Sequence, residues 1–231
     1  MFNQLKPLAA LVATALISTG ALAATQTLDA GNYSISFDDS LLGLFGTPML
    51  TASGDLAFSP SGTPGFSAQT GSGFDFTNST VALTITADAG YQLTGFNLIE
   101  KGDYFKIGAG NEVAVLGQLR VQDLVNANVN LSNSIASAVP LDVTSSSFAN
   151  LATTDWTASA SIGQLATGKA AVSIDNILGA YVPNSGYAFI EKNNIFLDIS
   201  VAAVPEPESF AMLLAGLGIV GAMARRRRMG A

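Results

Sequence analysis

The chain has 231 residues, a formal charge of −7 and neither cysteine nor histidine. Without those two residues it can build no disulfide, no Cys/His zinc site and no Ser-His or Cys-His nucleophile pair, which removes most hydrolase chemistries. Between residues 24 and 203 five basic side chains face fifteen acidic ones, and a surface so acidic excludes nucleic acid as a partner.

Met1 to Ala23 has the three regions of a secretory signal peptide. Lys6 supplies the positive start, Leu8 to Ile17 the apolar stretch, and Ala21-Leu22-Ala23 the small-x-small cleavage pattern. The expected mature chain begins at Ala24. Residues 24–203 are enough for one domain with its own core.

That domain reads as strands separated by Gly, Ser, Thr, Asn and Asp. Tyr33, Ile35 and Phe37 alternate with serines in Asn32 to Asp38, and Val81, Leu83 and Ile85 alternate with threonines in Asn78 to Asp88, the period-2 pattern of half-buried strands. The turn Asp88-Ala89-Gly90 then predicts a hairpin whose return arm is Tyr91 to Ile99. Residues Gly43 to Ser72, with Pro48, Pro60 and Pro64, suit a long loop or an edge region. Lys101-Gly102-Asp103 and Asn193-Asn194 read as turns. Glu112 to Asp123 puts Val113, Val115, Leu119 and Val121 on one face, and Gln118 to Ala138 is the only stretch with any helical pattern. Late strands are expected at Asp155 to Ile162, Ala170 to Ile177, Gly186 to Lys192 and Asn194 to Val201. The expected fold is an all-β, antiparallel β-sandwich, jelly-roll or Greek-key like, followed by one C-terminal transmembrane helix.

The last segment has three parts in order. Val204-Pro205-Glu206-Pro207-Glu208 is a stiff break that cannot extend a strand. Phe210 to Ala224 is uncharged, and Arg225, Arg226, Arg227 and Arg228 form a basic stop that keeps this end cytoplasmic. As a helix the 15 uncharged residues span only about 22 Å, short of the roughly 30 Å hydrocarbon core unless the bilayer thins and the arginines snorkel.

This order of parts resembles the PEP-CTERM sorting signal of Gram-negative bacteria that make exopolysaccharide. The resemblance covers residues 204–228 and implies recognition of Pro205, Glu206 and Pro207 by an exosortase, a membrane-embedded protease-like enzyme. It implies transient anchoring in the inner membrane, then release to the cell surface or extracellular matrix. Ala87-Asp88-Ala89-Gly90-Tyr91, Gly95-Phe96 and Lys101-Gly102-Asp103-Tyr104 are similar to β-rich domains carried by such proteins, and transfer no functional residue.

Candidate ligand sites are sparse. Paired carboxylates could run glycoside hydrolysis without histidine, and Asp38, Asp39, Glu100, Asp103 and Glu112 supply acids, but strand ends and turns favour acids for local reasons. Calcium needs only oxygen donors and stays open as a ligand ahead of catalysis, yet no D-x-[DN]-x-[DN]-G loop occurs, so no metal residue is named and no other cofactor is expected. For stacking on sugars, Trp156 and Tyr33 fall on apolar strand faces, which leaves Tyr91, Tyr104, Tyr181 and Tyr187 as the surface candidates, Tyr91 and Tyr104 first among them. The expectation is therefore a non-enzymatic exported protein with a structural or adhesive role in exopolysaccharide or biofilm. A carbohydrate-binding module for the host's own polysaccharide is the alternative, and a small polysaccharide-acting enzyme the third reading.

Overall fold

A computed structural model describes residues 25–60, 65–145, 152–205 and 207–228. The signal-peptide residues, including Ala21 and Ala23, lie outside the described residues, as does Glu206.

Twelve strands run β1 (Thr25–Asp29), β2 (Tyr33–Asp38), β3 (Met49–Leu50), β4 (Leu56–Phe58), β5 (Ser67–Thr70), β6 (Gly73–Ala87), β7 (Tyr91–Ile107), β8 (Glu112–Asp123), β9 (Asn130–Ser137), β10 (Thr154–Ile162), β11 (Lys169–Val182) and β12 (Tyr187–Ala203), before a helix α1 (Pro207–Arg228). All named strand pairs are antiparallel. They form one sheet in the order β1-β2-β6-β11-β8-β9-β10-β7-β12-β4-β3, with β5 added beside β12. The expected pair of separate sheets therefore gives way to a single sheet curled until it is nearly a barrel. β9 is the reason: its first part pairs with β8 (Val121↔Leu131, Gly117↔Ile135) and its last two residues pair with β10 (Ser159↔Ala136, Ala158↔Ser137). One strand thus carries the hydrogen-bonding from one layer into the other.

Alternation decides what lies between the layers. Val81, Leu83 and Ile85 of β6, Val172, Ile174 and Leu178 of β11, and Leu119 and Val121 of β8 point inward from one layer. Phe96 and Leu98 of β7, Trp156 of β10, and Ile190, Ile195 and Leu197 of β12 are buried from the other. Phe45, Phe58 and Phe66 close one side, with Phe45 edge-on to Phe58 at 5.5 Å and to Phe66 at 5.8 Å, the offset that aromatic quadrupoles prefer.

Four local expectations need correcting. The turn after β6 is real, with Tyr91 N–H donating to Asp88 O at 3.0 Å, but β6 pairs with β2 and β11 while β7 pairs with β10 and β12, so the two are no hairpin. Lys101-Gly102-Asp103 lies mid-strand in β7, and residues 118–138 are strand where β8 and β9 are drawn. Asn193 is no turn but the extra residue of a bulge between Lys192 and Asn194, which β12 crosses without stopping.

The transmembrane helix is a further correction: among the described residues, no helix is long and apolar enough to cross a membrane. α1 has 22 residues, yet Glu208 near its start and the four terminal arginines leave it too short an apolar stretch.

Candidate functional site

The C-terminal junction is built by β12. Its last residues pair with the start of β7, Val201 with Leu93, Ala202 with Gln92 and Ala203 with Tyr91. Val204 N–H then donates to Gly90 O at 2.8 Å, and Pro205, which has no N–H to give, ends the ladder. Pro205 is exposed, and Pro207 opens α1, the helix position where a missing N–H costs nothing. Every α1 side chain that is described is exposed: Met212, Leu213, Leu214, Leu217, Ile219, Val220 and Met223 around the helix, then Arg225 and Arg226, with Arg227 and Arg228 completing its backbone. A helix apolar on all faces has no stable home in water.

The proposed aromatic contacts part company. Tyr91 is 36% exposed at the junction, whereas Tyr104 is only 2% exposed, and its hydroxyl accepts from Val143 N–H at 3.2 Å. A ring so buried cannot stack on a sugar, so Tyr104 is corrected to a core residue. Thirteen positions along β7 also separate the two by roughly 40 Å. Trp156 is buried as its alternation implies, its indole N–H donating to Glu191 O at 3.1 Å.

An exposed aromatic strip lies elsewhere. Phe74 and Phe76 are 65% and 57% exposed, with ring centroids 5.8 Å apart and planes 30° apart. Tyr181 pairs with Phe74, Gly179 with Phe76, and Ile177 with Leu116, so β6, β11 and β8 share one outward apolar patch. The signal is present in the sequence. Phe74 and Phe76 have the parity of outward Thr84, but a strand begun at Asn78 stops short of them.

The acids suggested as catalytic pairs are dispersed. Asp38 caps the turn after β2, accepting from Ser40 N–H at 2.9 Å, Glu100 is in the core, and Asp103 sits beside Glu191, whose carboxyl is raised by burial and then by Asp103. Among the described residues no group of three His, Cys, Asp or Glu side chains could hold a metal ion.

Three polar side chains meet between the layers instead. Glu100 of β7, Asn176 of β11 and Lys192 of β12 each occupy an inward position in an apolar row: Phe96 and Leu98 precede Glu100, Ile174 and Leu178 flank Asn176, and Ala188 and Ile190 precede Lys192. The bulge at Asn193 then shifts the parity so that Ile195 and Leu197 remain inward. Lys192 Nζ lies 2.5 Å from Glu100 Oε2, both side chains wholly excluded from solvent. Asn176 Nδ2 donates to Glu100 Oε1 at 2.7 Å, and Lys192 Nζ also donates to Asn176 Oδ1. Phe66 and Trp156 wall the ammonium, with ring centroids 5.0 and 6.0 Å away. Glycines make the room: a Cβ at Gly117 would meet Asn176 Oδ1 at 3.3 Å, and one at Gly102 would meet the Trp156 ring at 2.7 Å. Burial pushes the Lys192 amine down to about 8, against the opposing pull of Glu100.

Comparison with known proteins gives three results. No curated protein matches the chain. Among solved structures, TmCBM61 in complex with β-1,4-galactotriose is similar at 10% identity and a TM-score of 0.19, over 60% of this chain and 88% of that one. A family model for the PEP-CTERM protein-sorting motif matches residues 203–228, which begin at the last residue of β12 and end at the last residue of α1. The chain thus carries a PEP-CTERM protein-sorting motif, fused without a spacer to an antiparallel β domain, and that motif implies export and processing by an exosortase.

Proposed function

We propose that the protein is a non-enzymatic building block of the cell surface or exopolysaccharide matrix, delivered by export and exosortase processing. The observation that carries this reading is the junction. The sheet ends at Val204, the Pro205–Pro207 break follows at once, and the apolar helix with its arginines comes directly after. In the uncut chain α1 associates with the inner membrane through its exposed apolar side chains, its arginines lying with the headgroups. The exosortase cuts at or near Pro205-Glu206-Pro207 and frees the β domain. A passive role is supported by the lack of histidine and cysteine and by the dispersal of the candidate acids. Replacing Pro205, Glu206 and Pro207 together by alanine should leave full-length protein with the inner membrane. An unchanged ratio of cut to uncut chain by mass spectrometry counts against the reading.

A second reading, binding of the host's own polysaccharide, is favoured by the stacked Phe74 and Phe76 beside Tyr181. Flat exposed rings offer the apolar face on which sugar C–H groups stack. If it holds, Phe74→Ala with Phe76→Ala abolishes retention of the protein by that polymer. Retention that survives both changes removes the strip from consideration.

A further inference from the structure

The cluster of Glu100, Asn176 and Lys192 is expensive to maintain as an ion pair. Two charges withdrawn from water lose several kcal/mol of hydration each, and an apolar replacement is often the more stable choice. The arrangement is nevertheless complete, with Glu100 contacting both partners and Lys192 contacting both partners. Its members are an amine, a carboxamide and a carboxyl group, enclosed by Phe66 and Trp156. Those are the reactants and the acid–base catalyst of an amide exchange.

We propose that Lys192 and Asn176 react in the folded chain to form an intramolecular amide cross-link, Nζ of Lys192 to Cγ of Asn176, with Glu100 as the catalytic acid–base.

The step balances without any added reagent. A proton passes from the Lys192 ammonium to the Glu100 carboxylate, giving an amine and a carboxylic acid, the neutral pair that a site without water favours. The amine lone pair attacks Cγ of Asn176 and the new C–N bond forms. Glu100 delivers its proton to Nδ2, to which it is already hydrogen-bonded at 2.7 Å, the Cγ–Nδ2 bond breaks, and ammonia departs. Glu100 takes the surplus proton from Nζ and remains a neutral acid beside the new amide. Amine plus carboxamide become secondary amide plus ammonia, and nothing is oxidised or reduced. Holding the groups in contact supplies the proximity that the uncatalysed reaction lacks. The lowered basicity of Lys192 raises the share of free amine at neutral pH.

The bond ties β11 in one layer to β12 in the other. Because β12 leads directly into the sorting segment, the cross-link fixes the strand through which any pull on that end enters the domain. The inference does not depend on the sorting reading, since it concerns the folded domain alone.

The test is a digest of the full chain, purified in folded form. Trypsin acting on unlinked protein cuts after Lys169 and Lys192 and releases residues 170–192. Linked protein resists cleavage after Lys192, so the fragment starting at Ala170 runs past that residue and weighs about 17 Da less than its sequence requires, the mass of one ammonia. Chymotryptic cleavage at Tyr181 or Tyr187 should leave the pieces bearing Asn176 and Lys192 joined. Lys192→Arg and Asn176→Ala should abolish the link, and Glu100→Gln should leave both partners unreacted in protein that still shows the buried Trp156 emission. Release of residues 170–192 at full mass from folded wild-type protein overturns the proposal. So does an ammonia loss with normal cleavage after Lys192, which would mark a succinimide at Asn176 or Asn184. A linked Glu100→Gln protein would overturn the role of Glu100.

Discussion

The backbone N–H of Val204 donates to the carbonyl oxygen of Gly90 at 2.8 Å, so the residue before the Pro-Glu-Pro break is held by the turn between β6 and β7. Gly90 has φ +84°, and a Cβ placed there would meet nothing within 4 Å. A substitution therefore acts through backbone strain alone, of about 1–2 kcal/mol for a β-branched residue. In Gly90→Val the Val204 amide should exchange with solvent roughly tenfold faster, while amides in the middle of β12 keep their protection. Equal exchange in the two proteins would show that Val204 is held by something other than this turn.

Gly102 makes a sharper prediction. It lies opposite Trp156 on one side and Lys192 on the other. A Cβ there would approach the Trp156 ring carbons at 2.7 and 2.8 Å and overlap the carbonyl oxygen of Glu191, a rigid backbone atom. Gly102→Ala should therefore destabilise the domain by about 1–3 kcal/mol, the usual cost of forcing a methyl into a filled core. It should also red-shift the emission of the only tryptophan in the chain. Unchanged melting and emission would mean that the ring can retreat from β7.

Much of this architecture is legible in the sequence because burial in a strand follows parity. Val113, Val115, Leu119 and Val121 of β8 are buried as a row, and Trp156 and Tyr33 turn inward with their neighbours. What parity cannot carry is partnership across distance. The turn at Asp88-Ala89-Gly90 shows in its own residues, yet the strands it joins part into different layers, because β6 is claimed by β2 and β11. Composition misleads where glycine serves packing instead of turning the chain. Lys101-Gly102-Asp103 resembles a turn, but Gly102 is bare so that Trp156 can lie against it. The buried triad is the hardest to see. Glu100, Asn176 and Lys192 each hold an inward position, but a polar residue in an apolar row reads as a strand end until the three are known to meet. Tyr104 is misplaced for a related reason, since its neighbours suggest a loop where β7 continues.

Acid stability should depend on one hydroxyl. Asp123 ends β8, and its Oδ1 accepts from Thr167 Oγ1 at 2.6 Å, from Val125 N–H at 2.7 Å and from Asn126 N–H at 2.9 Å. The Thr167 hydroxyl is the chief reason the carboxyl is held below its ordinary value of 3.8, with the Asn126 and Val125 amides adding to it and burial opposing. A carboxyl that ionises more readily when folded stabilises the fold at every pH above the unfolded value, and that stability drains away as pH falls through the lower, folded one. Thr167→Val removes the strongest of these donors, so the Asp123 carboxyl should rise toward 3.8 and acid unfolding should begin at a higher pH. Asp123→Asn should lose the dependence on Thr167 altogether, making the second change silent on the acid side. Trp156 emission followed through an acid titration of the two single variants and the double variant reads this coupling. Acid midpoints that shift additively would show that Thr167 acts on some group other than Asp123.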